Sequence, residues 1–477
     1  MILLTRVVRH NFRMHIMKLT KTLLLTVGVL AMGSVAPCAH GDVTLTTLVS
    51  FNATNGANPG AGLVQGKDGN FYGTTVVGGA NGYGSLFQLT LSGTLATLIS
   101  FDRTNNGANP GAALVQGSDD AFYGTTEAGG TNANGDGTIF KVTTNGTLTT
   151  LVSFNGTDGS RPHASLVQGQ DGKFYGTTEI GGTNQVGTAF QMLTNGTLTS
   201  LVSFDNNGSS PYSPSASLLQ AADGNFYGAA RLGGTNGHGA MFRLATNGAL
   251  TTLYSFTGGS DGANPYAGLT QGADGSFYGT AANGGTNGYG TVFKMTTNGT
   301  LTPLASFGGT NGAYPQAALL LASDGNFYGT TKNGGAYTNQ SGYGTVFKLT
   351  TNGTLTTLAS FNGTNGAHPL GLVQTLDGSF YGTTADGGTN GDGTVFRLNI
   401  TASSPPSFLT VEDTGATLTL TWSATVGETY QMWYKTNLNQ INWNNLGSTI
   451  IATNAAMTTL DATGPDQQRF YRIELLP

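Results

Sequence analysis

The chain has 477 residues, 75 of them Gly, and only 9% are charged, for a formal net charge of −5. A thin, slightly acidic charge excludes a nucleic-acid-binding surface, which needs a basic patch. Disorder is excluded by 24 Phe, 18 Tyr and recurrent Val/Leu/Thr runs, because disordered chains lack the aromatic and β-branched residues that build a core; abundant Gly instead suits an all-β chain with many tight turns.

Residues 1–41 read as an export signal. Met17 is the expected start, Lys18 and Lys21 form a basic flank, and Thr22–Val35 is an apolar core too short to span a bilayer. Small residues at Ala39 and Gly41 fit cleavage after Gly41. The only cysteine, Cys38, precedes that cut; a lipoprotein signal would acylate it, but Pro37 is a poor match to such a site. The expected mature protein therefore has no disulfide, thiol nucleophile or thiolate metal site. It is expected to be secreted or displayed at the cell surface, with no membrane span after signal removal.

From residue 42 to about 400 an internal repeat dominates. Phe-Tyr-Gly recurs at Phe71, Phe122, Phe174, Phe226, Phe277, Phe327 and Phe380, at intervals of 50 to 53 residues. Each unit holds four strand-length segments, a to d, which in the third unit are Ala164–Gln168, Phe174–Thr178, Gly187–Met192 and Thr197–Phe204. Asp-Gly joins a to b in six units and Asn-Gly joins c to d in most. Such dipeptides between β-type segments predict hairpins with type I′ turns, and four antiparallel strands per unit make a propeller blade.

The phase of the repeat separates a propeller from a solenoid. The chain opens on a lone d segment, Thr44–Phe51, and its last unit stops after a c segment, Gly393–Leu398. In a ring, the N-terminal d strand completes the seventh blade and removes two open edges. The sequence thus predicts a seven-bladed β-propeller, closed by its N-terminal strand and monomeric. Small pairs before the a segments, such as Ala61-Gly62 and Ala267-Gly268, fit strands converging on an axis.

A linker at 401–406, ending Ser403-Ser404-Pro405-Pro406, stops the repeat. Residues 407–477 hold Trp422, Trp433 and Trp443 and alternate as half-buried strands at Thr417–Trp422, Thr429–Lys435 and Arg469–Leu475. A small β-sandwich is expected there.

The string DG-x-FYGTT-x2-GG-x-NG-x-GTVFKLT-x-NGTLTTL-x-SF, seen across Asp324–Phe361 with a longer b–c loop, resembles the GloVer tandem repeat of secreted bacterial proteins, a choice-of-anchor group. The resemblance covers residues 44–400 and implies an extracellular repeat scaffold without established catalytic residues. The C-terminal segment is similar to fibronectin-III-like modules.

Residues present in every unit are best explained by the fold. The turn carboxylates Asp68, Asp171, Asp223, Asp274, Asp324 and Asp377 sit where a turn needs Asp. Gln65, Gln116, Gln168, Gln220, Gln271 and Gln374 are expected to satisfy backbone groups between blades. No metal or cofactor motif stands out: the glycine-rich b–c loops lack the paired carboxylates a calcium site requires.

What differs between units points to function. Strand parity places the a–b and c–d turns on one face and the longer b–c and d–a loops on the other. On the loop face, Glu127, Glu179, Arg231 and Lys332 follow the b strands, while the d–a loops add Arg161, His163, Tyr212, Tyr266, Tyr314 and His368. Binding residues favour loops on a rigid scaffold, so this face is the candidate site. The expected function is non-catalytic binding of an extracellular ligand, a glycan or a surface protein. Two alternatives stand beside it: a polysaccharide hydrolase or lyase using Glu127 with Glu179, and a purely structural surface protein.

Overall fold

The computed structural model describes residues 43–337, 342–401, 406–413, 417–425, 428–437, 439–462 and 469–476. The export signal, with Met17 and Cys38, lies outside them, as does Ser403–Pro405 of the linker. Among the described residues every regular element is a strand. The chain divides into a repeat unit, Thr44–Asn399, and a second unit that includes Ile400 onward.

Each repeat supplies one four-stranded antiparallel sheet, the first of them extended by Ala57–Pro59. In the third repeat the strands are Val167–Gln168, Phe174–Thr178, Thr188–Met192 and Leu198–Ser203, paired in that order. The a strand is shorter than the sequence suggests, because only its last two residues pair with the b strand. The seventh sheet runs Val43–Ser50, Thr394–Ile400, Phe380–Asp386, Ala367–Gln374. The N-terminal strand thus occupies the d position of the last repeat, and the Phe51 N–H donates to Gly393 O at 2.9 Å.

Burial follows strand position. The FYGTT strands are buried along their whole length, as in Phe174–Thr178, so they read as continuous rather than alternating segments. The d strands, as in Leu198–Ser203, keep exposed positions. The core lies between successive sheets: Tyr72 and Leu86 of the first repeat share one cluster with Leu114, Phe122 and Phe140 of the second.

The Phe-Tyr-Gly tripeptide explains this packing residue by residue. Each Tyr meets the Phe of the next repeat, through Tyr72–Phe122, Tyr123–Phe174, Tyr175–Phe226, Tyr227–Phe277, Tyr278–Phe327 and Tyr328–Phe380, with ring centroids 4.0 to 4.4 Å apart. Such pairs add about 0.5–1.5 kcal/mol beyond their buried area. The Gly is there for space: a Cβ at Gly176 would stand 2.6 Å from Phe190 Cζ, which is too close for any side chain.

The hairpins are not type I′. In the c–d turn of the second repeat, Gly146 N–H donates to Thr143 O at 2.9 Å and Thr143 N–H donates to Thr147 O at 3.0 Å. Gly146 takes φ +85°, whereas Asn145 does not enter the positive-φ region. This is a three-residue loop whose last member is left-handed, the turn-plus-bulge hairpin. The a–b turns repeat it, and in the second repeat Asp120 holds the left-handed place at φ +64°.

Close approach of backbones accounts for the small residues before the a strands. A Cβ on Gly62 would come within 2.9 Å of the Gly371 backbone, joining the first repeat to the last. In the second unit, Phe408–Asp413, Thr417–Ser423 and Ala456–Ala462 form one sheet, while Thr429–Lys435 pairs with Asn444–Asn445, Ile450–Ile451 and Phe470–Leu475 in another. Leu420, Trp422, Tyr430, Met432 and Tyr471 from both sheets share one core.

Candidate functional site on the loop face

The loop face is organised by a feature absent from the sequence reading. Asn58, Asn109, Arg161, Ser213, Asn264, Tyr314 and His368, one per repeat, all hold φ between +51° and +57°, and each precedes a Pro. Their N–H groups donate to the b–c loop carbonyls of the preceding repeat at 2.8–3.0 Å, from Asn109 to Tyr83 round to Asn58, which reaches Asp392. The following Pro packs on a glycine of that same preceding loop; Pro110 faces Gly84 and Pro59 faces Gly393.

This left-handed residue is also clipped to the position after the b strand. The N–H groups of Glu127, Glu179, Arg231 and Lys332 donate to the carbonyls of Asn109, Arg161, Ser213 and Tyr314 at 3.0–3.3 Å. Two of these clips, Glu179 to Arg161 and Lys332 to Tyr314, join residues nominated from sequence.

Their side chains link neighbouring repeats. Glu127 of the second repeat meets His163 of the third, Oε1 to Nε2 at 3.4 Å. Glu179 of the third meets Arg231 of the fourth at 3.5 Å. Arg231 in turn donates to Tyr266 Oη of the fifth at 3.2 Å and lies 5.5 Å from that ring's centroid. Ser213 Oγ also donates to Glu179, at 3.5 Å. Repeats two to five thus carry a polar crescent of a Glu–His contact, a Glu–Arg ion pair and a tyrosine.

The remaining nominated residues lie elsewhere on the face. His368 Nδ1 contacts Asp386 Oδ2 at 2.7 Å, and Asn58 Nδ2 donates to Asp386 Oδ1 at 2.9 Å, so Asp386 belongs to this group although the sequence reading missed it. Tyr314 packs edge-on to Tyr289 at 6.2 Å. Tyr212 is half-buried: it pairs with Leu232 in a two-residue strand and packs against the core between the third and fourth repeats. Arg161 and Lys332 are exposed, and among the described residues neither side chain has a hydrogen-bond or ion-pair partner.

The opposite face is less plain than expected. Turn carboxylates accept from the repeat tyrosines: Tyr72 Oη to Asp68 at 2.7 Å, Tyr175 to Asp171 at 2.9 Å, Tyr227 to Asp223 at 2.8 Å. Cations on the c strands join them, as in Lys141–Asp119 and Lys294–Asp274, both 2.7 Å. Burial would raise the Asp171 carboxyl, but the bonds from Tyr175 and Lys173 outweigh it and hold it below the usual range. Burial first, then Asp171, pushes the Tyr175 phenol up to about 12.

The repeated glutamines bridge successive turns. Gln168 donates to Gly172 O of its own turn at 3.0 Å and accepts from Ser118 N of the previous one at 2.9 Å. Gln116, Gln220 and Gln374 accept in the same way from Lys67, Gln170 and Ser323. Between the fourth and fifth sheets no such bond from Ala222 to Gln271 forms, and a groove of about 450 Å³ opens there, lined by Asp223, Gln271, Asp274, Ser276, Thr296 and Thr297. This groove lies on the turn face, away from the polar crescent.

Among the described residues no three His, Cys, Asp or Glu side chains gather as metal ligands, and no helix is long and apolar enough to cross a membrane.

These features define an all-β repeat protein of propeller-like, four-stranded sheets with a varied polar loop face. The chain belongs to the Gloeobacter/Verrucomicrobia repeat family, whose model matches residues 27–222 and 213–440. No curated protein matches the sequence. Among solved structures it is similar to a lectin from Burkholderia pseudomallei, with 9% identity over 77% of this chain and 100% of that one, at a TM-score of 0.48. A surface component of the type-IX secretion system of Porphyromonas gingivalis is similar over 90% of this chain and 60% of that one, at 13% identity and 0.46. A gluconolactonase from Xanthomonas campestris aligns over 77% of this chain and 99% of that one, at 11% identity and 0.40.

Proposed function

We propose that the repeat unit is a seven-bladed propeller, closed by the N-terminal strand, and that its loop face binds an extracellular carbohydrate without transforming it. Closure is supported by the first repeat being joined to the last through the same contacts that join all others. We read the second unit as a small fibronectin-III-like β-sandwich, a reading supported by its two sheets sharing one core.

The observation that carries the binding reading is the Glu179–Arg231–Tyr266 linkage across three consecutive repeats. A residue repeated in every unit serves the fold, whereas Arg231 and Tyr266 occur once each at their positions and Glu only twice, at Glu127 and Glu179. Alternating acids, cations and hydroxyls suit a polyhydroxylated ligand. The hydrolase alternative gains nothing from the geometry, because Glu127 and Glu179 each engage a separate partner, His163 and Arg231. It would need one carboxyl as acid and the other as nucleophile or base.

The test is a glycan array probed with the purified protein and with a variant carrying Glu127→Ala, Glu179→Ala, Arg231→Ala and Lys332→Ala. The expected result is binding by the first and loss by the second. Full binding by the variant would remove the crescent from consideration.

A further inference from the structure

Arg161 stands apart from its six counterparts. All seven hold a left-handed conformation that side chains other than Asn, Asp and Gly adopt reluctantly. At three positions the residue is Asn, and its amide stabilises the loop: Asn58, Asn109 and Asn264 donate to Ala385, Val76 and Arg231 carbonyls at 3.0–3.1 Å. Ser213 donates to Glu179, and His368 pairs with Asp386. Arg161 takes φ +53° with its guanidinium exposed and, among the described residues, without a partner.

Its surroundings say what the guanidinium is for. The Arg161 carbonyl receives the Glu179 N–H at 3.0 Å, and His163 follows two residues later. Arg161 is therefore tied by its backbone to Glu179 and by the chain to His163, one member of each of the Glu179–Arg231 and Glu127–His163 pairs, whose carboxylates are already engaged. A strained backbone at a functional face is retained where the side chain contributes something the fold does not need. A planar guanidinium with its donors unused matches a carboxylate through two parallel hydrogen bonds.

We propose that Arg161 receives the carboxylate of an acidic saccharide, a uronic-acid unit whose hydroxyls meet His163 and Tyr266. This rests on the carbohydrate reading above and sharpens it to one ligand class. Screening of charge by salt should weaken the contact.

The experiment is calorimetric titration of the purified protein with galacturonate, glucuronate and mannuronate oligosaccharides and with their carboxyl-reduced counterparts. At least one acidic oligosaccharide should bind about ten- to a hundred-fold more tightly than its reduced form, as expected for a charge-assisted pair. Arg161→Asn should abolish that difference while leaving the melting temperature unchanged or higher, because the new amide can donate to Glu127 O as Asn109 does to Val76 O. Arg161→Lys should retain part of it. Equal binding of acidic and reduced forms, or an unaltered preference in Arg161→Asn, overturns the carboxylate assignment and leaves the carbohydrate reading standing. If neither set binds while the glycan array shows another ligand, the carboxylate assignment falls alone; if the array is also blank, the carbohydrate reading falls with it.

Discussion

Tyr381 of the seventh repeat lies against Phe71 of the first, ring centroids 4.5 Å apart. It is the same contact that Tyr227 makes with Phe277 at 4.4 Å inside the array. An interior pair and the pair joining the ends of the repeat are thus alike in geometry and burial. Tyr381→Ala and Tyr227→Ala should therefore destabilise by similar amounts, about 3–5 kcal/mol each, as large-to-small core changes do. Chemical denaturation of the two variants checks this; a fraying terminal contact would cost much less at Tyr381.

The glutamine bridges make a paired prediction. Gln168→Leu removes two donated hydrogen bonds and one accepted one, at a net cost of about 1–2 kcal/mol. The sixth repeat already carries Leu321 at this position. Leu321→Gln should gain up to about 1 kcal/mol by completing the bridge, readable as a higher denaturation midpoint.

Gly176→Ala should destabilise by about 1–3 kcal/mol through overpacking. The new methyl would meet Phe190 Cζ at 2.6 Å and Leu166 Cδ2 at 2.9 Å. Gly172→Ala, in the a–b turn of the same repeat, meets no atom within 4 Å but sits at φ +81°, so its cost is backbone strain alone, about 1 kcal/mol. A double variant with Phe190→Leu should recover part of the first loss and none of the second.

The Asp–Tyr pairs of the turn face set the pH limits of stability. Asp68, Asp119, Asp171, Asp223, Asp274 and Asp324 are held below the ordinary carboxyl value: burial opposes this, but hydrogen bonds outweigh it. Lower folded-state values mean that their contribution is present above the unfolded value near 3.8 and is lost as the pH falls through the folded ones. Tyr72, Tyr175 and Tyr227 are pushed up to about 12, chiefly by burial and then by the Asp partner. Their contribution is present below the unfolded value near 10 and is lost as the pH rises toward about 12. Thermal melts should therefore be flat across neutral pH and fall at both extremes. Tyr175→Phe should cost about 1 kcal/mol at neutral pH and shrink the alkaline loss.

The period, the four segments per repeat and the lone opening strand were legible in the sequence because hydrophobic runs and turn residues record local backbone needs directly. Turn type was not: Asn145-Gly146 and Asn195-Gly196 fit two hairpin geometries, and only backbone hydrogen bonding distinguishes them. The left-handed ring was signalled by Pro59, Pro110, Pro162, Pro214, Pro265, Pro315 and Pro369, one per repeat, but a Pro does not announce a positive φ in the residue before it. On the loop face Glu127 meets His163 and Glu179 meets Arg231. Their pairing across repeats depends on a lateral offset between sheets, which a one-dimensional period does not encode.

The central claim is that the N-terminal strand closes the array by completing the last sheet. Hydrogen exchange of the native protein, followed by mass spectrometry, tests it most directly. If the claim holds, the amides of Val43–Ser50 are protected to the same degree as those of Leu198–Ser203 in the third sheet, and Phe51, bonded to Gly393 O, exchanges as slowly as Phe204, bonded to Gly187 O. Immediate exchange of Val43–Phe51, with Thr394–Ile400 behaving as an open edge, would contradict it.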